Sequence, residues 1–382
     1  MLNLFIILYN YYTITKENVF NMSIKSDLRK EGIEVISKLN TLKVNSIAHN
    51  IATTLVNNFP EQNINYHELF IRLSRLNMYI AKMPNGAAAK YFYKNTSIYF
   101  NETIDLENLD SLAIHECIHF IQEEKDSKNN LIRLGLCDFT DIKFGMALNE
   151  AAVQLMTSKC SDTKTDVVKY FDITLPTNSP NYYPLECNLV NQMAYITGDY
   201  VLFNSTIFSN DNFKNKFITL TSKNAYEFIK NNINTIMYLE DELAYIYSIL
   251  EQENNVSNKV ARLINKSTKI KKEIARLFLE TQNKIFTSFF DKTFSNLYSA
   301  KSLENYRNAL YNYKNLIGIT DNYSYFNDYY IDKMVALEEK YNMIDTIKAL
   351  IPVKQTFFST LIRKIKVLLG NKEYESNTNK SG

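Results

Sequence analysis

The segment His115-Glu116-Cys117-Ile118-His119 has the residue types and the spacing of a metal site. On a helix, His115 and His119 lie on one face, so both imidazoles reach a common point, and Glu116 lies beside them. Zinc accepts neutral imidazole nitrogens at ~2.1 Å, and a catalytic zinc takes three protein ligands and leaves a position for water. The segment therefore predicts one Zn2+ ion per chain on the two histidines, with Glu116 able to remove a proton from that water.

Chance is a poor explanation for this segment. The chain has four histidines among 382 residues, and two of them are in the segment. Random order would give on the order of 0.003 matches to the H-E-x-x-H pattern. The alternative is that both histidines are hydrogen-bonded in a helical core. Cys117 is expected to be a small buried filler, and His49 and His67 are expected at the surface or hydrogen-bonded in the core.

A third metal ligand is predicted at Glu150, in the segment Asn149-Glu150-Ala151-Ala152. Small residues beside the carboxylate let two helices approach closely, and shared ligation at ~2.1 Å requires a Glu150 oxygen within ~4 to 5 Å of both imidazoles. The alternative is a Glu150 that faces solvent or forms a salt bridge, as isolated helix glutamates usually do. Asp138 and Asp141, in the linker between the two segments, are then the next candidates.

The chain upstream of the motif predicts packing helices followed by a small antiparallel sheet. Apolar residues recur at helical spacing in two stretches, and three later stretches alternate or are rich in β-forming residues. The predicted helices cover about 26–58, with a break near 45, and about 66–76. The predicted strands cover 78–83, 91–93 and 98–100, the last two as a hairpin directly before the motif.

The motif helix is predicted to begin at a cap, Asp105 or Asp110, and to continue to about Lys125. A second helix, about 143–158, carries Glu150. Beyond residue 185 the pattern predicts almost only helix, in pieces of about 185–209, 211–220, 223–233, 236–254 and 257–290, with shorter ones between 301 and 349. The predicted fold class is α+β and mostly α, with a catalytic domain over 23–225 and a helical domain over 226–370.

The overall composition excludes several classes of function. Lys and Arg number 43 against 41 Asp and Glu, so no global charge attracts nucleic acid, and we expect no nucleic-acid partner. The four cysteines form no C-x-x-C pair, which argues against a Cys-type zinc site and favours a reducing, cytoplasmic location. The sequence has no glycine-rich phosphate loop and no Rossmann fingerprint, so we expect no cofactor besides the metal.

The two ends of the chain carry separate predictions. Residues 1–22 are interpreted as an extension that is not native, because the apolar run 2–9 lacks the flanks of a signal peptide and the length of a membrane span, and Met22 offers another start. Residues 356–369 form a basic amphipathic pattern, which fits either membrane-surface contact or, as we favour, packing against the helical domain. Residues 371–382 are predicted to be a disordered tail.

A hairpin, a helix with H-E-x-x-H and a later helix with N-E-A together resemble the gluzincin metallopeptidases over about residues 66–220. Gln122 and Lys125 stand where a metzincin has glycine and histidine, so that class is excluded. The two motifs are further apart than in the thermolysin branch, and Ala151-Ala152-Val153-Gln154 replaces the continuation typical of that branch. The resemblance is therefore to the broad zincin-like clan.

This resemblance implies a zinc-dependent peptidase whose substrate is a peptide or protein. Glu116 would be the general base for a water that the zinc activates. The strand Ile98-Tyr99-Phe100 would border the cleft and pair with an extended substrate. Tyr183, or its neighbour Tyr182, would donate a hydrogen bond to the oxyanion, with packing as the alternative role for either. Two alternatives stay open: a catalytically inactive zincin-like module that binds metal or a partner, and a helical interaction protein in which the motif is accidental.

Overall fold

The computed structural model describes residues 24–84, 88–104, 111–128, 130–140, 145–252, 258–320 and 323–350, and of 111–112 and 345–350 only the backbone. Helices dominate these residues and the strands form small sheets, which confirms the predicted α+β, mostly α fold class. No helix in this part of the chain combines the length and the apolarity of a membrane span. The predictions that fall outside it concern the extension 1–22, the caps Asp105 and Asp110, the candidate ligand Asp141, the segment 356–369 and the tail 371–382.

The first sheet contains the predicted strand and the predicted hairpin. Its strands are β1 (Glu34–Lys38), β2 (Asn77–Lys82), β3 (Ala89–Phe92) and β4 (Ser97–Asn101). They lie in the order β1-β2-β4-β3, with β4 parallel to β2 and antiparallel to β3. Because β4 has a hydrogen-bonded neighbour on each side, the prediction that Ile98-Tyr99-Phe100 pairs with substrate is wrong. In the part of the chain that the structure describes, the strand at the edge on this side of the sheet is β3.

The strand β1 replaces part of a predicted helix. A first helix, α1, covers 24–30, and Gly32, with φ +73°, then turns the chain into β1. Val35 and Ile36 fit helical spacing together with Ile33, yet both are exposed and their backbone pairs with β2. The apolar spacing that suggested a helix is therefore produced by an edge strand. Gly32 is the sequence signal of the break, since only glycine adopts this conformation without strain.

The remaining helices follow the predicted order with different bounds. They are α2 (Thr41–Asn58), α3 (Tyr66–Ser74), α4 (Ser111–Ile121), α5 (Met146–Cys160), α6 (Pro184–Thr197), α7 (Asp199–Ile207), α8 (Asn212–Leu220), α9 (Lys223–Gln252), α10 (Asn258–Ser295), α11 (Ala300–Tyr313) and α12 (Tyr325–Leu350). The helices predicted at 223–233 and 236–254 are one continuous helix, α9. The prediction of almost only helix beyond residue 185 is confirmed for the described residues, apart from one strand of two residues.

The motif helix α4 ends at Ile121, before the predicted end at Lys125. Gln122 turns the chain into a second small sheet that occupies the stretch interpreted as a polar linker. Its antiparallel strands are β5 (Glu123–Lys125), β6 (Leu131–Leu134) and β7 (Cys137–Asp138). These strands are short and carry charged residues, so they lack the apolar alternation by which a strand is recognised in a sequence.

A third sheet was also not predicted. Its strands are β8 (Asp166–Tyr170), β9 (Ile173–Thr177) and β10 (Ile319–Thr320), in the order β10-β9-β8. The hairpin of β8 and β9 turns at Phe171 and Asp172, both with positive φ. Its second strand leads through a short segment to Tyr183 and the start of α6.

Helix α5 lies at the centre of the helical packing. It contacts α4, α6, α7 and α9, and almost every residue of it is buried, including Ala147, Ala151 and Ala152. A helix buried on all sides has no polar face and hence no amphipathic pattern. Its alanines allow close approach of the neighbouring helices, which is the packing predicted for the Glu150 segment.

The described residues divide into two compact units. The first reaches Phe289 and also includes Asn315–Ser324, and the second comprises Phe290–Lys314 and the described residues from Tyr325 onward. The boundary predicted between 225 and 226 does not coincide with this division. The reason is that α9 packs on α5 and α6 and so continues the first unit. The second unit has an aromatic core that includes Phe290, Tyr306, Tyr313 and Phe326.

Candidate metal centre

Three side chains converge between α4 and α5. The Nε2 atoms of His115 and His119 lie 3.0 Å apart, and Oε2 of Glu150 lies 3.2 Å from the first and 3.4 Å from the second. The predicted proximity of a Glu150 oxygen to both imidazoles is thus confirmed. Tetrahedral ligands at ~2.1 Å from a metal are about 3.4 Å from one another, which is close to these separations. The group can hold one metal ion.

The burial of the three residues is uneven. His115 and His119 are 7% and 6% exposed, because their helix face is covered by α5. Glu150 is only partly buried, although its neighbours along α5 are covered. The imidazoles therefore form the buried floor of the centre, and the carboxylate lies toward its open side.

A hydrogen-bond chain fixes the proton position on His119. The backbone N–H of Leu136 can only donate, and it donates to Oδ1 of Asn149 at 3.0 Å. This orients the Asn149 amide, whose NH2 group donates to Oε1 of Gln122 at 3.2 Å while Gln122 Nε2 donates back at 3.3 Å. Oε1 of Gln122 therefore faces Nδ1 of His119, at 3.3 Å. Since an amide oxygen only accepts, His119 carries its proton on Nδ1 and directs the Nε2 lone pair at the centre.

His115 is oriented in the same manner by a residue of α5. Its Nδ1 lies 3.1 Å from Oε1 of Gln154, which is one helical turn beyond Glu150. Neither Gln154 nor Gln122 is among the sequence-predicted site residues. The signal that could have found them is helical spacing, since Gln122 follows His119 by three positions and Gln154 follows Glu150 by four.

The donor set fits a metal ion for a physical reason. With both Nδ1 atoms protonated, two imidazole lone pairs and a carboxylate oxygen face one point at 3.0 to 3.4 Å. Such an arrangement is repulsive unless a cation or a proton lies between the atoms. Two imidazole nitrogens and one carboxylate oxygen are a usual protein ligand set for zinc and for other first-row metals.

Charge shifts the titration of these groups in opposite directions. Burial alone would lower the pKa of His119, but the negative charge of Glu150, and the hydrogen bond that the Glu150 carboxylate accepts from His119, outweigh burial and raise the pKa to about 9. Burial alone would raise the pKa of Glu150, and the two histidines instead hold it far below its usual range. Without a metal, His119 is therefore a cation at neutral pH with a second proton on Nε2, and Glu150 is an anion. A metal ion that binds takes the place of the Nε2 proton, and the Nε2 lone pair then becomes a ligand.

The amide chain is tied to the second sheet by a close approach at Gly135. This residue has φ +56°, and a side chain on it would collide with the amides of Asn149 and Gln122. Its N–H donates to Oγ of Ser209 at 2.9 Å, and that hydroxyl donates to the Gln122 carbonyl. The turn between β6 and β7 thus supports the orientation of His119.

Glu116 lies between the centre and the open strand of the first sheet. Its side chain is half-buried, and Oε2 accepts the backbone N–H of Tyr91 at 2.5 Å. Tyr91 belongs to β3, and no strand of the described residues pairs with the outer side of β3. The hydrogen bond holds one carboxylate oxygen in place. The general base predicted from the motif is therefore positioned where the centre meets the sheet edge.

Tyr183 has an unusual backbone conformation at the start of α6. It lies directly before Pro184 with φ 50° and ψ 46°, a left-handed conformation that costs a tyrosine about 1 kcal/mol or more. Burial, and then the charges of Glu150 and Glu116, raise the pKa of its phenol. The hydroxyl therefore stays protonated and can donate a hydrogen bond. Tyr182, by contrast, is 44% exposed.

Several other candidate residues lie away from the centre. His49 is exposed and hydrogen-bonded to Tyr66 at 2.7 Å, and His67 is exposed on α3, as expected. Asp138 accepts hydrogen bonds from Thr140 and does not approach the histidines. The four cysteines, Cys117, Cys137, Cys160 and Cys187, are free thiols, and Cys117 is buried as a filler in α4.

Comparison with known proteins identifies no relative. No family model matches the chain, and no curated protein or solved structure is significantly similar to it.

Proposed function

We propose that this chain is a zinc-dependent hydrolase of peptide bonds. The observation that carries the proposal is the His115–His119–Glu150 group, in which three ligand atoms lie 3.0 to 3.4 Å apart. Glu116, the residue after His115, is near enough for its charge to raise the pKa of His119. A purely structural zinc usually has four protein ligands, whereas three ligands leave a position for a reacting molecule. Among the described residues, no fourth ligating side chain joins the group.

Each residue has a defined part in this proposal. His115, His119 and Glu150 would hold the zinc, which when bound supplies a Lewis acid that acidifies water and polarises a carbonyl. Glu116 removes the proton from the attacking water and later delivers it to the leaving amine. Tyr183, with its protonated hydroxyl, donates a hydrogen bond to the oxygen on which negative charge develops.

The edge strand β3 takes the role in substrate binding that the sequence assigned to Ile98-Tyr99-Phe100. An extended peptide adds to an open sheet edge through backbone hydrogen bonds. Tyr91 of β3 already contacts Glu116, so a peptide along this edge would pass the general base. This explains why a carboxylate is tied to a strand rather than to another side chain.

The test combines metal analysis with peptide cleavage on the purified full chain. We expect close to one zinc per chain, its loss in His115→Ala, and its retention in Glu116→Gln. Cleavage of a peptide pool, followed by mass spectrometry, should be lost in both variants. Iron must be counted as well, because two histidines and a carboxylate also suit Fe(II). A chain that holds iron and no zinc, or a Glu116→Gln variant that cleaves like the parent, contradicts the proposal.

A metal-binding module without catalysis is the second candidate. It is favoured by the hydrogen bond between Glu116 and Tyr91, which by itself gives the Glu116 carboxylate a structural role, because it ties α4 to β3. The two candidates separate at Glu116→Gln. If the chain is a binding module, neither the parent nor Glu116→Gln cleaves peptides above background, and the variant keeps its zinc. If the chain is a hydrolase, the parent cleaves peptides and the variant loses this cleavage at full zinc content.

A further inference from the structure

A second group of buried charges lies where α6 meets α9. Glu186, in the first turn of α6, is 0% exposed, and it faces Glu240, near the middle of α9. Neither carboxyl oxygen of Glu186 nor Oε1 of Glu240 has a hydrogen-bond partner from another kind of residue in the described part of the chain. The two carboxyls can bond to each other only if one of them is protonated.

Holding this pair without a counter-charge is costly. Burial raises the pKa of Glu186, and burial together with the charge of the neighbouring Glu186 raises the pKa of Glu240. No basic side chain among the described residues is paired with either carboxyl. A buried polar group without a partner is rare in proteins and calls for an explanation in terms of a missing ligand or a function.

The pair is a neighbour of the candidate metal centre. Cys187, directly after Glu186, contacts the carbonyl oxygen of Ala151 through its Sγ at 3.7 Å, and Ala151 directly follows the ligand Glu150. Tyr183, one turn before Glu186, is affected by the charges of Glu150 and Glu116 as well as by that of Glu186. The same tyrosine is thus shared by the centre and the pair.

The surroundings of the pair are acidic and aromatic. Tyr170 of β8 is hydrogen-bonded to Glu240, and the next residue of α9, Asp241, is exposed. Glu240 itself is partly exposed, although its Oε1 atom is buried. Carboxylates beside aromatic rings attract organic cations through charge and through the ring faces. A metal ion fits less well, because no third ligating side chain among the described residues completes the pair.

We propose that the Glu186–Glu240 pair is a specificity subsite for a cationic side chain, arginine or lysine, of the substrate. This inference rests on the proposed function, since it places the subsite beside the reacting centre. A cation would take the place of the shared proton, so that both carboxylates become paired. Tyr170 and Tyr183 would flank the alkyl part of the side chain.

Binding of a matched pair of small probes tests the subsite without relying on catalysis. N-acetyl-arginine amide is compared with N-acetyl-citrulline amide, which has nearly the same shape and no charge, by calorimetric titration of the full chain. We expect the arginine probe to bind about tenfold tighter or more, and this preference to disappear in Glu186→Gln and in Glu240→Gln. Glu124→Gln, an exposed carboxylate on β5, is the control and should keep it.

The outcomes decide the inference in either direction. Equal binding of the two probes to the parent, or a preference that survives in Glu240→Gln, overturns it, and Glu240→Gln gives this answer even if Glu186→Gln does not fold. If the parent chain cleaves no peptide but its arginine preference depends on the pair, the proposed function fails and the cation site stands. If the parent cleaves without regard to basic residues and binds both probes alike, the proposed function stands and the subsite fails.

Discussion

Two clusters of buried charged groups lie on neighbouring helices and differ in how their charges are paired. They are His115–His119–Glu150 and Glu186–Glu240. In the first, opposite charges face each other and amide side chains occupy the remaining ring nitrogens. In the second, two like groups face each other and three of their oxygens have no other partner. A group whose polar atoms are all hydrogen-bonded is rigid and selects an ion of fixed size. A group with unbonded buried oxygens is destabilising until a ligand pairs with them.

The largest difference between the two clusters is expected in metal content when one carboxylate is removed from each. Glu150→Gln takes away the only anion of the centre, so we expect the metal content to fall from near one to below ~0.1 per chain. Glu186→Gln removes a carboxyl that is buried more deeply than Glu150 but lies outside the ligand set, and it should leave the metal content unchanged. Metal analysis after gel filtration gives both values. Equal metal loss in the two variants would contradict the separation of the clusters.

A substitution at Gly135 tests the hydrogen-bonded amides of Asn149 and Gln122 that orient His119. Gly135→Ala forces the amides of Asn149 and Gln122 apart, so the Nδ1 contact of His119 is lost, and we expect metal affinity to fall roughly 10- to 100-fold. Competition with a chelator of known affinity measures the change.

Gly198→Ala is the control for this variant. Gly198 also has a positive φ, +93°, but nothing lies within 4 Å of the added carbon. Its φ of 93° and ψ of 135° lie in a region that glycine alone adopts readily, so alanine here adds backbone strain without a collision. A comparable loss of metal affinity in the two variants would assign the effect to strain and not to the amide chain.

The residue shared by the two clusters is tested by removing one hydroxyl. Tyr183→Phe keeps the ring and should reduce the rate of peptide cleavage about tenfold without changing the zinc content. Tyr182→Phe, at the exposed neighbour, should have no effect. The ratio of the two rates is the measurement, and a ratio near one would assign Tyr183 to packing.

The smallest effect is expected on the free energy of unfolding of Glu186→Gln. The sign of this change shows whether the Glu186–Glu240 pair stabilises the fold. Glu186→Gln removes a carboxyl that lacks partners and gives Glu240 a donor, so the free energy of unfolding should rise by about 1 kcal/mol or stay unchanged. Urea unfolding monitored by circular dichroism gives this value. A loss of stability would mean that the pair is a structural bond and not a site kept open for a partner.

The centre was predictable because its signals are local in sequence. The spacing of His115 and His119 defines a helix face, and the small residues after Glu150 indicate a close helix contact. The supporting residues Gln122 and Gln154 have the same helical spacing, but an amide has no distinctive role by residue type. Glu186 and Glu240 are far apart in sequence, and only the packing of α6 on α9 brings them together.

The strand order could not be deduced from the sequence. The hairpin at 91–93 and 98–100 was recognised from its β-rich triplets, but the sequence does not state which of its strands is inserted beside β2. Because β4 lies between β2 and β3, the edge strand is β3 and not β4 as predicted. The residues proposed to pair with a substrate therefore differ from the predicted ones. The sheet of β5 to β7 escaped prediction because its strands have two to four residues and no apolar alternation.

The turn between β6 and β7 has a consequence for hydrogen exchange. Amide protons in a tight turn usually exchange with solvent within seconds or less, yet those of Gly135 and Leu136 are bonded to Ser209 and Asn149 in the interior. Because the Leu136 proton is the first member of the chain that orients His119, its exchange is tied to the state of the metal ligands. This single amide is therefore a reporter by which metal loading can be followed from outside the centre.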